Sequence, residues 1–280
     1  MITVLRAGPL TTVQDQGRPG YAHLGVPRSG ALDAPAARMA NALVGNPPSA
    51  AVLETTLLGC ALRFAEPARV AVTGAPATIL VDGTAVPRDE RRTAAVDVPA
   101  GSVLDVGRAT SGVRSYVAVR GGIDVEPVLG SRSTDTLSGL GPAPLTEGMT
   151  LPIGHVATSA EHLEQMPTEA GDLEIGVWLG PRDDWAHVAE LFGTAYTISP
   201  VSNRVGARLA GPALTRTKAG ELPPEGIVLG AIQVPADGHP LIFLADHPTT
   251  GGYPVIGVVD DVTPLAQARP GATVRFRDLD

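Results

Sequence analysis

A run of groups able to do chemistry stands near the end of the chain: Asp246-His247-Pro248-Thr249-Thr250-Gly251-Gly252-Tyr253-Pro254. It sets a carboxylate, an imidazole, two hydroxyls and a glycine pair in one loop. Carboxylates and imidazoles move protons, and glycines let backbone N–H groups come close to an anion. The preceding run, Leu241 to Ala245, is wholly apolar and predicts a strand buried on both faces that delivers this loop. Upstream, Gln233 offers an amide donor and acceptor beside Pro235, and Asp237-Gly238 marks a turn joining two strands. The same residues also fit a plain tight turn whose Asp and Thr satisfy local backbone donors. The local chemistry leaves both readings open.

A second polar, Gly/Pro-rich stretch runs from Gly8 to Asp33 and carries Gln14, Asp15 and Arg18, with Ser29-Gly30 leading into a helix. Ser29, His23 and Asp33 are the residue types of a hydrolase triad. The G-x-S-x-G elbow is missing, however, and Asp33 serves as a helix cap, so a binding loop is the expectation. Arg120-Gly121-Gly122 and Gly130-Ser131-Arg132-Ser133-Thr134-Asp135 combine guanidinium groups, hydroxyls and glycines, a mixture suited to carboxylates or phosphates or, equally, to a solvated loop. In Asn203-Arg204-Val205-Gly206-Ala207-Arg208-Leu209, Arg204 is placed to clamp an anion while Leu209 packs inward.

The elements that must position these groups are mostly strands. Val70–Thr73, Thr78–Val81, Ser102–Val106 and Tyr116–Val119 are β-rich runs bounded by Gly, Pro or Asp. Leu173–Leu179, Ile227–Leu229, Leu241–Ala245 and Thr273–Phe276 repeat the texture later. Two helices interrupt it. One follows the N-cap Asp33, with Ala36, Met39, Ala40 and Leu43 on one face and Gly45 at its end. The other is capped by Asp183, carries Trp185, Val188, Ala189 and Phe192, and closes at Gly193. Each helix sits in its own set of strands. The polar stretch from His155 to Gly171 lacks the β pattern and reads as a linker. The expectation is two similar β-barrel-like lobes, residues 1–155 and 172–280, in a mainly β protein with few helices.

Composition narrows the function. A formal net charge of −8 over 280 residues opposes non-specific nucleic-acid binding, which needs a basic face. Aromatic residues are scarce, so Ala, Val and Leu supply most of the burial. The single cysteine, Cys60, lies in an apolar run and reads as a core thiol, and no Cys/His cluster has the spacing of a metal site. MITVLRAGPL has no apolar block followed by a cleavage site, and no stretch reaches bilayer-spanning length. A cytoplasmic protein without membrane contact is therefore expected. Neither a G-x-x-x-x-G-K-[ST] loop nor a G-x-G-x-x-G turn is present, which argues against P-loop and Rossmann cofactor sites. No Met-Lys-Met of a biotin carrier occurs.

Six segments, VQDQGRPGYAHLGVPRSGALD, AVRGG, LGSRSTD, NRVGARLAGP, PPEGIVLGAIQVPADGHP and ADHPTTGGYPVIG, occur in this order across nearly the whole chain. In that combination the chain resembles the family of 5-oxoprolinase C subunits, KipA and allophanate hydrolase subunit 2-like proteins, which are biotin-dependent carboxyltransferase-like. The resemblance implies two cyclophilin-like β-barrel domains and a KipI-like (allophanate hydrolase subunit 1-like) B subunit as partner. It implies work on 5-oxoproline with ATP shared among subunits, a LamB/YcsF-type A subunit completing ring opening. Its alternatives are carboxyl transfer from biotin carried on another chain to urea, and a KipA-like regulator that binds KipI, an inhibitor of a histidine kinase. By motif it implies Gln14, Asp15, Arg18 and Ser29 as substrate-binding residues in the first lobe. In the second it implies Gln233, Thr249, Thr250, Gly251, Gly252 and Tyr253, with Arg204, Glu225 and Asp246 as catalytic residues. Arg204 would neutralise a substrate carboxylate, the Thr-Gly-Gly loop would hold an oxyanion or phosphate, and Asp246 or Glu225 would be general base. The chain departs from the family where Pro224-Glu225-Gly226 replaces Ser-Glu-Gly and where Glu147-Gly148-Met149 replaces a Gly-Asp.

Overall fold

A computed structural model describes residues 1–87, 94–155 and 171–280. The chain divides into two compact units. The first holds the described residues of Met1–Arg18, Ser29–Asp135 and Gly139–Ala170. The second holds Pro19–Arg28, Thr136–Ser138 and Gly171–Asp280. Most of the His155–Gly171 stretch read as a linker lies outside the described residues.

In the first unit, two antiparallel sheets share one core. The six-stranded sheet has the order Thr150–Leu151, Ile2–Arg6, Ala61–Phe64, Val103–Ala109, Ala77–Val81, Thr84–Ala85. The five-stranded sheet has the order Thr11–Gln14, Val52–Thr56, Arg114–Val119, Ala68–Gly74, Ala94–Val98. Alternation along each strand sends Ile2, Val4, Leu62, Phe64, Leu104 and Val106 from the first sheet to meet Leu53, Val70, Val72, Val117 and Val119 from the second. The strand Arg114–Val119 is buried along its whole length because its other face is covered too. Tyr116 and Ala118, one residue out of phase with Val117 and Val119, pack on Ala36, Ala37 and Ala40 of the helix Ala34–Leu43. That helix begins as its sequence predicts: the Asp33 side chain accepts from Ala36 N at 3.0 Å.

The second unit is a closed seven-stranded barrel. Its order is Leu173–Leu179, Val255–Val259, Ala231–Gln233, Leu241–Phe243, Gly206–Ala210, Tyr196–Ile198, Thr273–Asp278. Leu173–Leu179 pairs in parallel with Thr273–Asp278 to close the ring, while the other pairings are antiparallel. Closure leaves the barrel without an unpaired edge. A separate ladder, Glu225–Gly226 against Thr250–Gly251, stands outside the barrel.

Three local expectations are corrected. Asp183 does not cap one long helix: the segment forms a 3₁₀ turn, Asp183–Trp185, and a single helical turn, Ala189–Phe192. Between them Ala186 is extended and bridges to Arg216, which interrupts helical hydrogen bonding. Ile227–Leu229 is not a strand; the extended pair lies just before it, at Glu225–Gly226. Leu241–Phe243 ends earlier than its apolar run because a turn at Ala245–Asp246, closed by His247 N to Leu244 O at 3.0 Å, redirects the chain. A further short helix, Thr263–Gln267, carries a proline in its first turn and precedes the last strand. The molecule is mainly β with few helices.

Candidate functional site

Antiparallel pairing brings the first candidate pair of the second unit together. Gly206 stands opposite Phe243 in the ladder between Gly206–Ala210 and Leu241–Phe243. Following both strands outward past Val205 and Leu244, whose N–H donates to Val205 O at 2.9 Å, leads to Arg204 and Asp246. The Asp246 N–H donates to Arg204 O at 3.1 Å, and the guanidinium grips the carboxylate twice, Nε to Oδ2 and Nη2 to Oδ1, both at 2.9 Å. Thr136 adds two donors to Oδ2, its N–H at 3.0 Å and its hydroxyl at 2.7 Å. Burial alone would raise the Asp246 carboxyl, but the charge and hydrogen bonds of Arg204 and the two bonds from Thr136 outweigh it and hold the group below its ordinary range. Side-chain exposures of 1% and 0% leave this pair no face for a ligand.

Its exposed counterpart is Arg182 with Glu225. Glu225 lies opposite Gly251 in the outer ladder. That ladder is extended by Ile227 N to Thr249 O at 2.9 Å and Leu222 N to Gly252 O at 2.7 Å, so residues 222–227 run as a strap along 249–252. The Glu225 carboxylate receives Arg182 Nε at 3.1 Å and Nη2 in a second, shorter bond. Arg182 holds the carboxyl of Glu225 below its ordinary range, chiefly by hydrogen bonding. Gln233 is buried at the end of its barrel strand and donates Nε2 to Tyr253 O at 3.2 Å, fixing the exit of the glycine loop. Gly251 is tight against this amide: a Cβ there would lie 2.9 Å from Gln233 Nε2 and 3.1 Å from Ile227 Cδ1. Thr249 and Thr250 lie opposite the strap with Gly252 and Tyr253 beyond, all at least partly exposed. His247 turns its Nδ1 to Pro248 O at 2.7 Å beside the Phe243 ring.

The first unit gathers Gln14, Asp15, Arg18 and Ser29 around Ser131–Thr134. Asp15 is fully engaged. Its Oδ1 accepts from Gly17 N at 2.8 Å and from the Ser131 and Ser133 hydroxyls at 2.6 Å, and Oδ2 accepts from Arg132 N at 2.6 Å. The serine segment that suits carboxylate recognition thus recognises the chain's own Asp15. The Arg132 side chain points elsewhere, to Asp124 and Val125 O. Arg18 is 1% exposed and donates to neutral oxygens: Val128 O and Ser29 Oγ, each at 3.3 Å, and Ser133 O. Among the described residues no carboxylate pairs with it. Ser29 adopts a left-handed φ of 55° and precedes Gly30 at φ 96°, where a Cβ would come within 3.0 Å of the Gln16–Gly17 backbone. Gln14 donates Nε2 to Thr12 Oγ1 at 3.1 Å and Thr134 O at 3.0 Å, while its Oε1 is buried without a hydrogen-bond partner among the described residues.

The three triad types each have partners of their own. Ser29 Oγ meets Arg18, Asp33 caps its helix, and His23 places Nδ1 3.0 Å from Gly20 O. Sequence reasoning missed two contributors, Thr136 and Arg182. A hydroxyl after Asp135 and an arginine in the Gly180-Pro181-Arg182 turn carry no signal until folding supplies their partners. Among the described residues no group of His, Cys, Asp and Glu is arranged to hold a metal ion, and no helix is long and apolar enough to cross a membrane.

These features define a mainly β protein in which paired strand ends and glycine-rich loops present the polar groups. The chain belongs to the family of the carboxyltransferase domain, subdomains A and B, whose model matches residues 24–278. It is 38% identical to the C subunit of 5-oxoprolinase from Escherichia coli (strain K12), covering 99% of this chain and 90% of that protein. The crystal structure of TTHA0988 superposes with a TM-score of 0.86 at 35% identity, over 99% of this chain and 55% of that one. The crystal structure of the K. lactis urea amidolyase superposes with a TM-score of 0.90 at 30% identity, over 100% of this chain and 19% of that one. The chain thus spans about half of one solved relative and a fifth of another.

Proposed function

We propose that this chain is the C subunit of an ATP-dependent 5-oxoprolinase, converting 5-oxoproline to glutamate with a KipI-like B subunit and a LamB/YcsF-type A subunit. The observation that carries the reading is the match to the 5-oxoprolinase C subunit, which extends over 99% of this chain and 90% of that protein. The substrate offers a lactam N–H, a lactam carbonyl and a carboxylate. Gln14, Asp15, Arg18 and Ser29 shape the loop of the first unit that would border this substrate, Gln14, Arg18 and Ser29 from buried positions. In the second unit the division of labour follows burial. Arg204 and Asp246 act together, holding the end of the Leu241–Phe243 strand so that Thr249–Tyr253 starts from a fixed point. Glu225, partly exposed, is the carboxylate that exchanges a proton with the substrate nitrogen. Backbone N–H groups of the turn at Gly252 and Tyr253, beyond the outer ladder, receive charge developing on the lactam oxygen, and Gln233 holds the loop.

ATP is shared with the partners. The guanidinium of Arg204 is sealed on Asp246, which leaves Arg182 as the partly exposed guanidinium of the two, so this part of the second unit fits a substrate-sized anion better than a triphosphate. The alternative, a carboxyltransferase component of the urea carboxylase type, is supported by the likeness to the urea amidolyase structure. In that case biotin arrives on another chain. The one lysine, Lys218, stands between Thr217 and Ala219 and is ion-paired with Asp184, unlike a carrier lysine. A KipA-like regulator that turns over nothing is the third reading.

Co-expression with the B- and A-type subunits, followed by an assay of 5-oxoproline-dependent ATP hydrolysis, tests the proposal. Hydrolysis that needs all three chains is expected. Inactivity with 5-oxoproline alongside carboxyl transfer from carboxybiotin to urea would overturn it in favour of the alternative. Inactivity in both assays would leave the regulator.

A further inference from the structure

Three arginines at the candidate sites differ in what an incoming anion would meet. Arg204 is sealed, 1% exposed, with Asp246 at 0%. Exchanging its partner would mean extracting a buried carboxylate and leaving an uncompensated charge. Arg18 is equally buried beneath Val128 O, Ser29 Oγ and Ser133 O. Arg182 is different: its side chain is 36% exposed and that of its partner Glu225 is 37% exposed. Such a pair sits in water and salt, where the net gain is small and an alternative anion competes on nearly equal terms.

The geometry of the pair already describes its ligand. Nε and Nη2 of Arg182 both point at the two oxygens of one carboxylate, the planar fork that suits carboxylates. Glu225 is presented to this fork from the strap opposite Gly251. Whatever replaced Glu225 would lie beside Thr250, Gly251 and Gly252. Asp184, in the turn after Arg182, is the other charge that reaches the guanidinium, and it is itself ion-paired with Lys218.

We propose that Arg182 is a specificity-determining residue that receives the substrate's carboxylate, Glu225 being the internal carboxylate that occupies its fork until substrate displaces it. This rests on the reading of the substrate as 5-oxoproline. It also gives Glu225 a reason to stand free only when substrate is present: the anion that takes Arg182 releases the group that handles the proton. A neutral amide such as urea has no means of making this exchange.

The test compares 5-oxoproline with 2-pyrrolidinone, the same lactam without its carboxylate, by calorimetric titration into the full chain alone and in complex with its partner subunits. Wild type is expected to prefer 5-oxoproline by about two- to fivefold, the scale of a partly exposed ion pair. R182Q should weaken 5-oxoproline binding about two- to fivefold and leave 2-pyrrolidinone unchanged, with R182K intermediate. E225Q should bind 5-oxoproline about two- to fivefold more tightly, because the internal competitor has lost its charge. An R182Q variant that still discriminates, an E225Q variant that binds more weakly, or a wild type that binds neither compound would each overturn the proposal. Turnover of 5-oxoproline with discrimination independent of Arg182 refutes this inference but not the proposed function. Discrimination through Arg182 without turnover does the reverse.

Discussion

Arg204 and Asp246, 42 residues apart in sequence, close a two-pronged ion pair at the paired ends of two barrel strands, with both side chains shut off from solvent. The pair fixes where the glycine-rich loop begins. The exposed pair Arg182–Glu225 borders the same loop on its strap. Among the described residues the barrel unit thus holds one such fork sealed from solvent and another, Arg182–Glu225, in reach of it.

Removing one partner of the closed fork should be costly. Arg204→Met or Asp246→Ala is expected to destabilise the protein by about 3–5 kcal/mol, because each strands a buried charge. Urea unfolding monitored by Trp fluorescence measures it. The Asp246 carboxyl is held below its unfolded value of about 3.9. Its contribution is therefore complete above that pH and is lost as pH falls through the lower folded value. The acid limb of the wild-type stability curve should flatten in Asp246→Ala.

Glu225→Gln should reduce kcat of the reconstituted complex about 10²–10⁴-fold, the range for loss of a general acid–base group. The melting temperature should stay near that of wild type, since the carboxylate is partly exposed. Full activity in this variant would exclude Glu225 from proton transfer.

Tyr116 donates to Glu54 Oε2 at 2.9 Å and accepts from Asp33 N at 2.7 Å, joining the five-stranded sheet to the start of the helix Ala34–Leu43. Tyr116→Phe leaves that N–H buried without this acceptor and should cost about 1–3 kcal/mol in denaturant unfolding. Burial, with the charges of Glu54 and Asp33, pushes the phenol well above its ordinary value. A group raised in this way favours the fold fully below the unfolded pKa of about 10 and loses that contribution as pH rises further. A spectrophotometric titration at alkaline pH should find this tyrosine ionising only with unfolding.

Cys60 is buried and its thiol is pushed up to about 12, burial being the main cause. At pH 8 the native protein should resist a thiol-specific reagent and react fully only in denaturant. Rapid labelling of the folded chain would contradict the core placement.

Part of this protein was legible as a string of residues. Val70–Thr73, Tyr116–Val119, Leu173–Leu179 and Thr273–Phe276 announce strands because β-branched and apolar runs bounded by turn residues have few other stable outcomes. Asp33 announces a helix start because its cap bond spans only three residues. The segment around Asp183 failed for the opposite reason: its helical spacing is real, but Ala186 makes a bridge to Arg216 that local propensity cannot foresee. Composition and motif order also indicated a mainly β chain of this family. What the sequence could not say is which charge meets which. Gln14, Asp15, Arg204, Glu225 and Asp246 are visible as polar groups beside glycines, but their burial and partners depend on residues up to 120 positions away. Only the tertiary fold decided that Asp15 is consumed by Ser131 and Ser133, that Asp246 is locked to Arg204, and that Glu225 rests on Arg182 in reach of solvent. Strand pairing and burial are non-local, and they set whether a charge is held or can be exchanged.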